Sequence, residues 1–148
     1  MATGYDGDFA AWGMEQAEAL RAGRLDSLDR ENLAGEIEGL VRSDKRALAS
    51  QLERLLLHLL KWRYQPSHRS VSWQRSILHA RAEVADLLED SPSLRADVPA
   101  HIARRYRAAR AGAIDETGLP PATFPRDCPF PPDDILTGTD MGEAEDLG

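Results

Sequence analysis

Apolar residues recur along this chain with the period of an α-helix rather than the alternation of a strand. The clearest run is Leu48, Leu52, Leu55, Leu59 and Trp62, spaced 4, 3, 4 and 3 residues apart. At about 100° per residue they form one seam of a bundle helix over residues 43–64. Leu56, Leu57 and Leu60 carry the apolar surface toward the opposite side, leaving Gln51, Arg54, His58 and Lys61 as the main polar strip. Such a strip needs hydrogen-bond partners wherever it is buried. Ser43 is the expected cap, with Asp44 in the first turn. Pro66 stops the helix, because it lacks an N–H and disfavours helical geometry at Gln65.

Four further segments share this period. Residues 8–22 follow a cap at Asp6 or Asp8, stop at Gly23, and present Phe9, Trp12, Gln16 and Leu20 on one face. A second helix starts after Asp29 and reaches Val41, with Leu33, Ile37 and Leu40 as its inner stripe and Glu36 at the edge. Gly35 and Gly39 each weaken it by about 1 kcal/mol relative to Ala. The pattern leaves open whether it continues into the next helix. Residues 71–89, capped by Ser70, carry Trp73, Ile77, Val84 and Leu88, with Arg81 inside the same arc. Ser91-Pro92-Ser93 breaks the chain, and residues 100–117 follow Pro99 with Ile102, Tyr106, Ala109, Ala113 and Glu116 in line. Pro120, Pro121, Pro125, Pro129, Pro131 and Pro132 then forbid a regular helix and predict an extended strap anchored by Phe124 and Phe130. The predicted fold is all-α, a four- or five-helix bundle with a proline-rich extended C-terminal strap from about residue 118. Residues 1–136 read as one helical domain and residues 137–148 as an acidic, flexible tail.

Charge changes this picture locally. The 148 residues carry a net charge of −7, which disfavours bulk attraction to nucleic acid or anionic membrane. Residues 42–81 nevertheless hold nine Lys and Arg against two acidic residues, Asp44 and Glu53. A focused anionic partner therefore stays open. Cys128 is alone, which excludes an intramolecular disulfide framework and CxxC metal ligation. The first residues lack the basic and apolar regions of a signal peptide, and the longest unbroken aliphatic run is residues 55–57. No membrane span is expected, and the cytoplasm is the implied location.

Five polar residues lie on or beside apolar stripes: Gln16, Glu36, His58, Arg81 and Glu116. They are expected to converge in the bundle interior. One reading is a structural network, with Glu36 or Glu116 paired to Arg81 and His58; the other is a ligand or catalytic pocket. The Glu-x-x-His pairs of a four-helix di-metal site are absent. His58 is the only histidine on an interior edge of the pattern, since His68 follows the Pro66 break and His79 points outward. No metal and no cofactor are expected. Arg63 and His68 form the R-x₄-H spacing of some helical ribonucleases, but Pro66 lies between them. Ser70 and Ser72 beside His68 do not define a triad, which requires geometry. There is no Gly-rich phosphate loop, and Cys128 reads as a packed thiol.

The basic window suggests another class of function. Lys61, Arg63, Arg69 and Arg75, with Trp62, Tyr64 and Trp73 interleaved, could face an acidic protein partner. Of these two occupants nucleic acid is the less favoured, and the favoured competing reading against both is that the tryptophans are core and the arginines pair with acidic helices of the same chain.

Several stretches together carry a family resemblance. They are YDGDFAAWGMEQAEALRAG at 5–23, LDRENLAGEIEGL at 28–40, HLLKWRYQP at 58–66, RSVSWQRSI at 69–77, EDSPSL at 89–94, DETGLP at 115–120 and FPRDCPF at 124–130. In this order, over residues 5–136, they make the chain resemble the domain-of-unknown-function family 29, bacterial proteins common in cyanobacteria and also found in proteobacteria. Gly35 departs from the pattern, where a second acidic residue beside Glu36 is expected. The resemblance implies an all-α fold and no particular reaction, cofactor or catalytic residue. The function read from the sequence is a non-enzymatic interaction or regulatory module using the basic turn at 61–75. The alternative is a small-ligand-binding protein or enzyme using the polar cluster, and a helical ribonuclease is third.

Overall fold

In the computed structural model, residues 4–138 are described. Five helices form, α1 (Phe9–Ala22), α2 (Arg30–Tyr64), α3 (Val71–Asp90), α4 (Val98–Thr117) and α5 (Pro132–Thr137). Short 3-10 turns at Leu25–Ser27, Pro66–His68, Pro92–Asp97 and Pro121–Thr123 join them. The described residues contain no strand. The chain groups into two compact units, residues 1–43 and 44–148. The acidic tail expected at 137–148 falls, from residue 139 onward, outside the described residues.

In the first unit, Asp8 caps α1 by accepting from the Ala11 N–H, and Gly23 ends it with φ 71°. That left-handed value is one glycine adopts without a Cβ penalty. The chain then reverses. Tyr5 donates to Glu36 and Trp12 Nε1 donates to Asp29 Oδ2 at 3.0 Å. Residue 5 opposite 36 and 12 opposite 29 is the register of an antiparallel helical hairpin. Its inward side is small, comprising Trp12, Gln16 and Ala19. The inner stripes expected there are only partly realised, since Phe9, Leu20, Ile37 and Leu40 are all exposed.

The segments up to Val41 and from Ser43, whose continuity the pattern leaves open, are one 35-residue helix. No proline interrupts them, Gly35 and Gly39 keep ordinary helical φ, and Glu38 pairs with Arg42 one turn on at 3.8 Å. Ser43 is thus a helix interior residue rather than a cap.

The second unit wraps the latter half of α2. Leu48, Leu52, Leu55, Leu59 and Trp62 are buried as the seam predicts, and Leu56 and Leu60 are buried beside them. Ile77, Ala80, Val84 and Leu88 from α3 and Ile102, Tyr106, Ala109 and Ala113 from α4 complete the core. Ser70 caps α3, its Oγ accepting from the Trp73 N–H. Pro99 sits in the first turn of α4, where its missing donor costs nothing.

The proline-rich strap illustrates a general constraint. Its prolines remove N–H donors but leave every carbonyl needing one. Arginines supply them: Arg110 donates to Phe124 O and Pro121 O, and Arg81 to Ile135 O and Asp134 O. Tyr106 donates to Pro125 O. Phe124, Phe130 and Ile135 are buried. The strap is less extended than its composition predicts, because Pro132 stands at the start of α5, where a helix tolerates it.

Candidate functional site

The five polar residues expected to converge have separate surroundings. Gln16 is buried, and its amide bridges the hairpin turn, accepting from the Asp29 N–H at 2.7 Å and donating to Ser27 O at 3.4 Å. It therefore fixes the start of α2. Asp29 takes hydrogen bonds from Asn32 and Trp12, which hold its carboxyl below the usual range against an opposing effect of burial. Glu36 is half-buried and meets Tyr5, whose phenol is raised chiefly by that bond. Glu36 and His58 both lie on α2.

His58 is half-buried, with Nδ1 2.9 Å from Arg54 O, and burial lowers its pKa. Arg81 reaches from α3 to the carbonyls of α5. Glu116 is exposed at the end of α4 and pairs with Lys61 Nζ at 3.0 Å. Within the first unit Gln16 and Glu36 take different partners, and within the second so do His58, Arg81 and Glu116. The cause is that each residue has a nearer backbone or side-chain partner, which takes it up. Among the described residues, no group of three or more His, Cys, Asp or Glu is placed to hold a metal ion.

The basic turn divides into buried and exposed parts. Lys61 departs from the exposed patch expected, as only 10% of its side chain is accessible. Its ammonium lies 4.6 Å from the Trp73 ring centroid and against Glu116. Arg69 donates from Nε to Trp62 O at 2.8 Å and stacks on the Trp62 ring, closing one of the last carbonyls of α2. Arg63 is exposed and packs over Phe130. His68 Nδ1 meets Ser67 Oγ, so Arg63 and His68 are engaged with different neighbours. Arg75 is exposed. Cys128 is packed in the strap, and burial raises its pKa. A thiol so placed is a weak nucleophile.

Two features escaped the sequence pattern. His101 is a second inward histidine, 9% exposed, adjoining the buried Val98 and Ile102 on α4. The other is an apolar surface on the N-terminal hairpin. Of nine large hydrophobic residues exposed among the described residues, seven lie in the first unit: Phe9, Met14, Leu20, Leu25, Ile37, Leu40 and Val41. Ile37 lies one turn before Leu40 and Val41, and the three form a contiguous stripe on α2. Phe9 adds an aromatic edge, packed with Tyr5 and Trp12 at centroid distances of 6.0 and 5.6 Å. The signal was present in the spacing. What the pattern lacked was a second element to decide whether that stripe is covered.

No described helix is long and apolar enough to cross a membrane. Neither a curated protein nor a solved structure matches the chain. Residues 4–139 match the model of the Domain of unknown function DUF29, and the helical hairpin, leucine-seamed α2 and arginine-fastened strap described above are therefore those of a member of the DUF29 family.

Proposed function

We propose that this chain is a non-enzymatic interaction module that receives a basic amphipathic helix of a partner protein on its N-terminal hairpin. The observation that carries this reading is the concentration of exposed apolar side chains there. Ile37 is 61% exposed, Leu40 68% and Met14 70%. Scattered exposed hydrophobics are ordinary, but a clustered patch beside a sparse interior marks a contact surface. Among the described residues of this unit, only Trp12 and Ala19 are buried apolar residues.

Charge selects the occupant. Residues 4–43 contain nine acidic residues against four arginines. A second copy of the hairpin would bring like charge against like, whereas a basic helix would complement the rim while its apolar face covers Ile37, Leu40 and Val41. The setting of this reading is the bacterial cytoplasm.

A photo-crosslinking residue at Ile37, with the same residue at Leu78 as control, tests it in cells. The expected result is a product at position 37 with a protein whose crosslinked peptide is basic, helical and amphipathic, absent when Leu40 is changed to Asp. Crosslinking only to a second copy, or equal yields at 37 and 78, would overturn it.

A further inference from the structure

A concave surface lies within the other unit. Lys45, Arg46 and Ala49 from α2 face Asp97, His101, Arg104 and Arg105 across an open cleft of about 400 Å³. Four cations and one carboxylate line it, in a chain whose net charge is −7. Chance placement in an acidic protein does not favour such a cluster, and like charges gathered there repel one another.

The internal ion pairs engage two of the four cations. Lys45 Nζ lies 3.6 Å from Asp97 Oδ2, with both side chains at least 40% exposed. Arg105 Nη1 reaches Glu53 Oε1 at 3.3 Å, also near the surface. Arg46 and Arg104 are exposed and make no ion pair among the described residues. Beneath them His101 is nine-tenths buried, and its Nε2 has no hydrogen-bond partner. A buried polar nitrogen without a partner is uncommon and calls for one.

We propose that this cleft binds a small phosphate-bearing molecule, a phosphate monoester or pyrophosphate-type anion gathered by Lys45, Arg46, Arg104 and Arg105 above His101. Guanidinium groups present planar forks of donors that match phosphate oxygens, and Lys45 adds a point charge. An anion of charge −2 relieves the repulsion among the four cations. The volume exceeds that of a bare phosphate, leaving room for the organic part of an ester. A polynucleotide is a poorer fit: no aromatic side chain lines the cleft to stack a base, and the cations form a cluster rather than a track.

His101 gives the site a spectroscopic reporter. Burial lowers its pKa first, Arg104, Arg105 and Lys45 lower it further, and Asp97 opposes them. A bound anion adds negative charge beside the same ring, so it moves that pKa upward.

The test titrates inorganic phosphate and then pyrophosphate into the full chain at low ionic strength, following the His101 imidazole resonances by NMR. The expected result is a saturable shift, stronger with pyrophosphate. Arg46→Ala and Arg104→Ala, both at exposed positions, are each expected to weaken it about tenfold, the size of one charge-assisted hydrogen bond. Arg75→Ala, in the same unit but outside the cleft, is expected to leave it unchanged. Absence of a saturable shift overturns the proposal, as does equal weakening by Arg75→Ala. Tighter binding of a single-stranded oligonucleotide than of pyrophosphate also overturns it, in favour of nucleic acid.

Discussion

Lys61 and Glu116 offer a sharp test of how the second unit accommodates a charge. The Lys61 side chain is 10% exposed and that of Glu116 is 49% exposed, with 3.0 Å between Nζ and Oε2. Removing one partner of a fully buried pair costs about 3–5 kcal/mol, whereas an exposed pair contributes about 0–1 kcal/mol. Glu116→Ala leaves the ammonium inside but keeps the Trp73 ring 4.6 Å away. An intermediate loss of about 2 kcal/mol is expected, or about 4–8 °C in Tm for a chain of this size. Lys61→Met behaves differently. It forfeits the ion pair and the ring contact, but it also removes the buried charge and keeps the methylene packing, so its expected cost is about 1 kcal/mol or less. The double substitution is expected to resemble Lys61→Met alone. Urea unfolding followed by far-ultraviolet circular dichroism measures all three. If Lys61→Met destabilised as much as Glu116→Ala, the idea of a buried cation dependent on its carboxylate would be wrong.

Three further outcomes follow from the geometry. His58 and His101 both have lowered pKa values in the folded state, chiefly from burial. The unfolded chain then binds more protons just below its own histidine pKa of about 6.5, so stability falls as pH drops through that region. The urea midpoint is expected to decrease between pH 7.5 and 5.5, and a flat profile in His58→Gln/His101→Gln checks the assignment. Gln16→Ala removes both bridges to the hairpin turn, at about 1–2 kcal/mol, and limited proteolysis is expected to cut near Leu25–Ser27 before the second unit is attacked. Arg81→Ala deprives the Ile135 and Asp134 carbonyls of their donor, and is expected to speed amide exchange in α5 more than in α3.

Much of the helical framework was legible because the core of the second unit obeys a simple period. Leu48 through Trp62 needed only spacing to be placed, and Asp8, Gly23, Ser70 and Pro66 marked boundaries through backbone chemistry. Continuity of α2 was not legible, since Gly35, Gly39 and Ser43 weaken a helix without forbidding it. The hairpin faces were misread because amphipathicity shows which side prefers burial, not whether anything covers it. Lys61 was placed outside on the usual preference of lysine, which a ring and a carboxylate from distant sequence overrode. His101 was missed because its neighbour Ile102 already accounted for that arc of α4. The strap carbonyls could not be matched to Arg81 and Arg110 from sequence, as those partners depend on tertiary approach.

The nine buried residues of α2 all fall from Leu48 to Trp62, whereas its first eighteen residues, 30–47, include none. Backbone geometry makes this one helix; protection from solvent makes it two. Amide hydrogens in the leucine-seamed portion can exchange only through large openings of the surrounding core, while those before it are released by fraying of a nearly coreless hairpin. Hydrogen exchange along α2 is therefore expected to show a steep step near Leu48, inside an unbroken ladder of hydrogen bonds. The cooperative unit of this protein ends in the middle of a helix rather than at a loop.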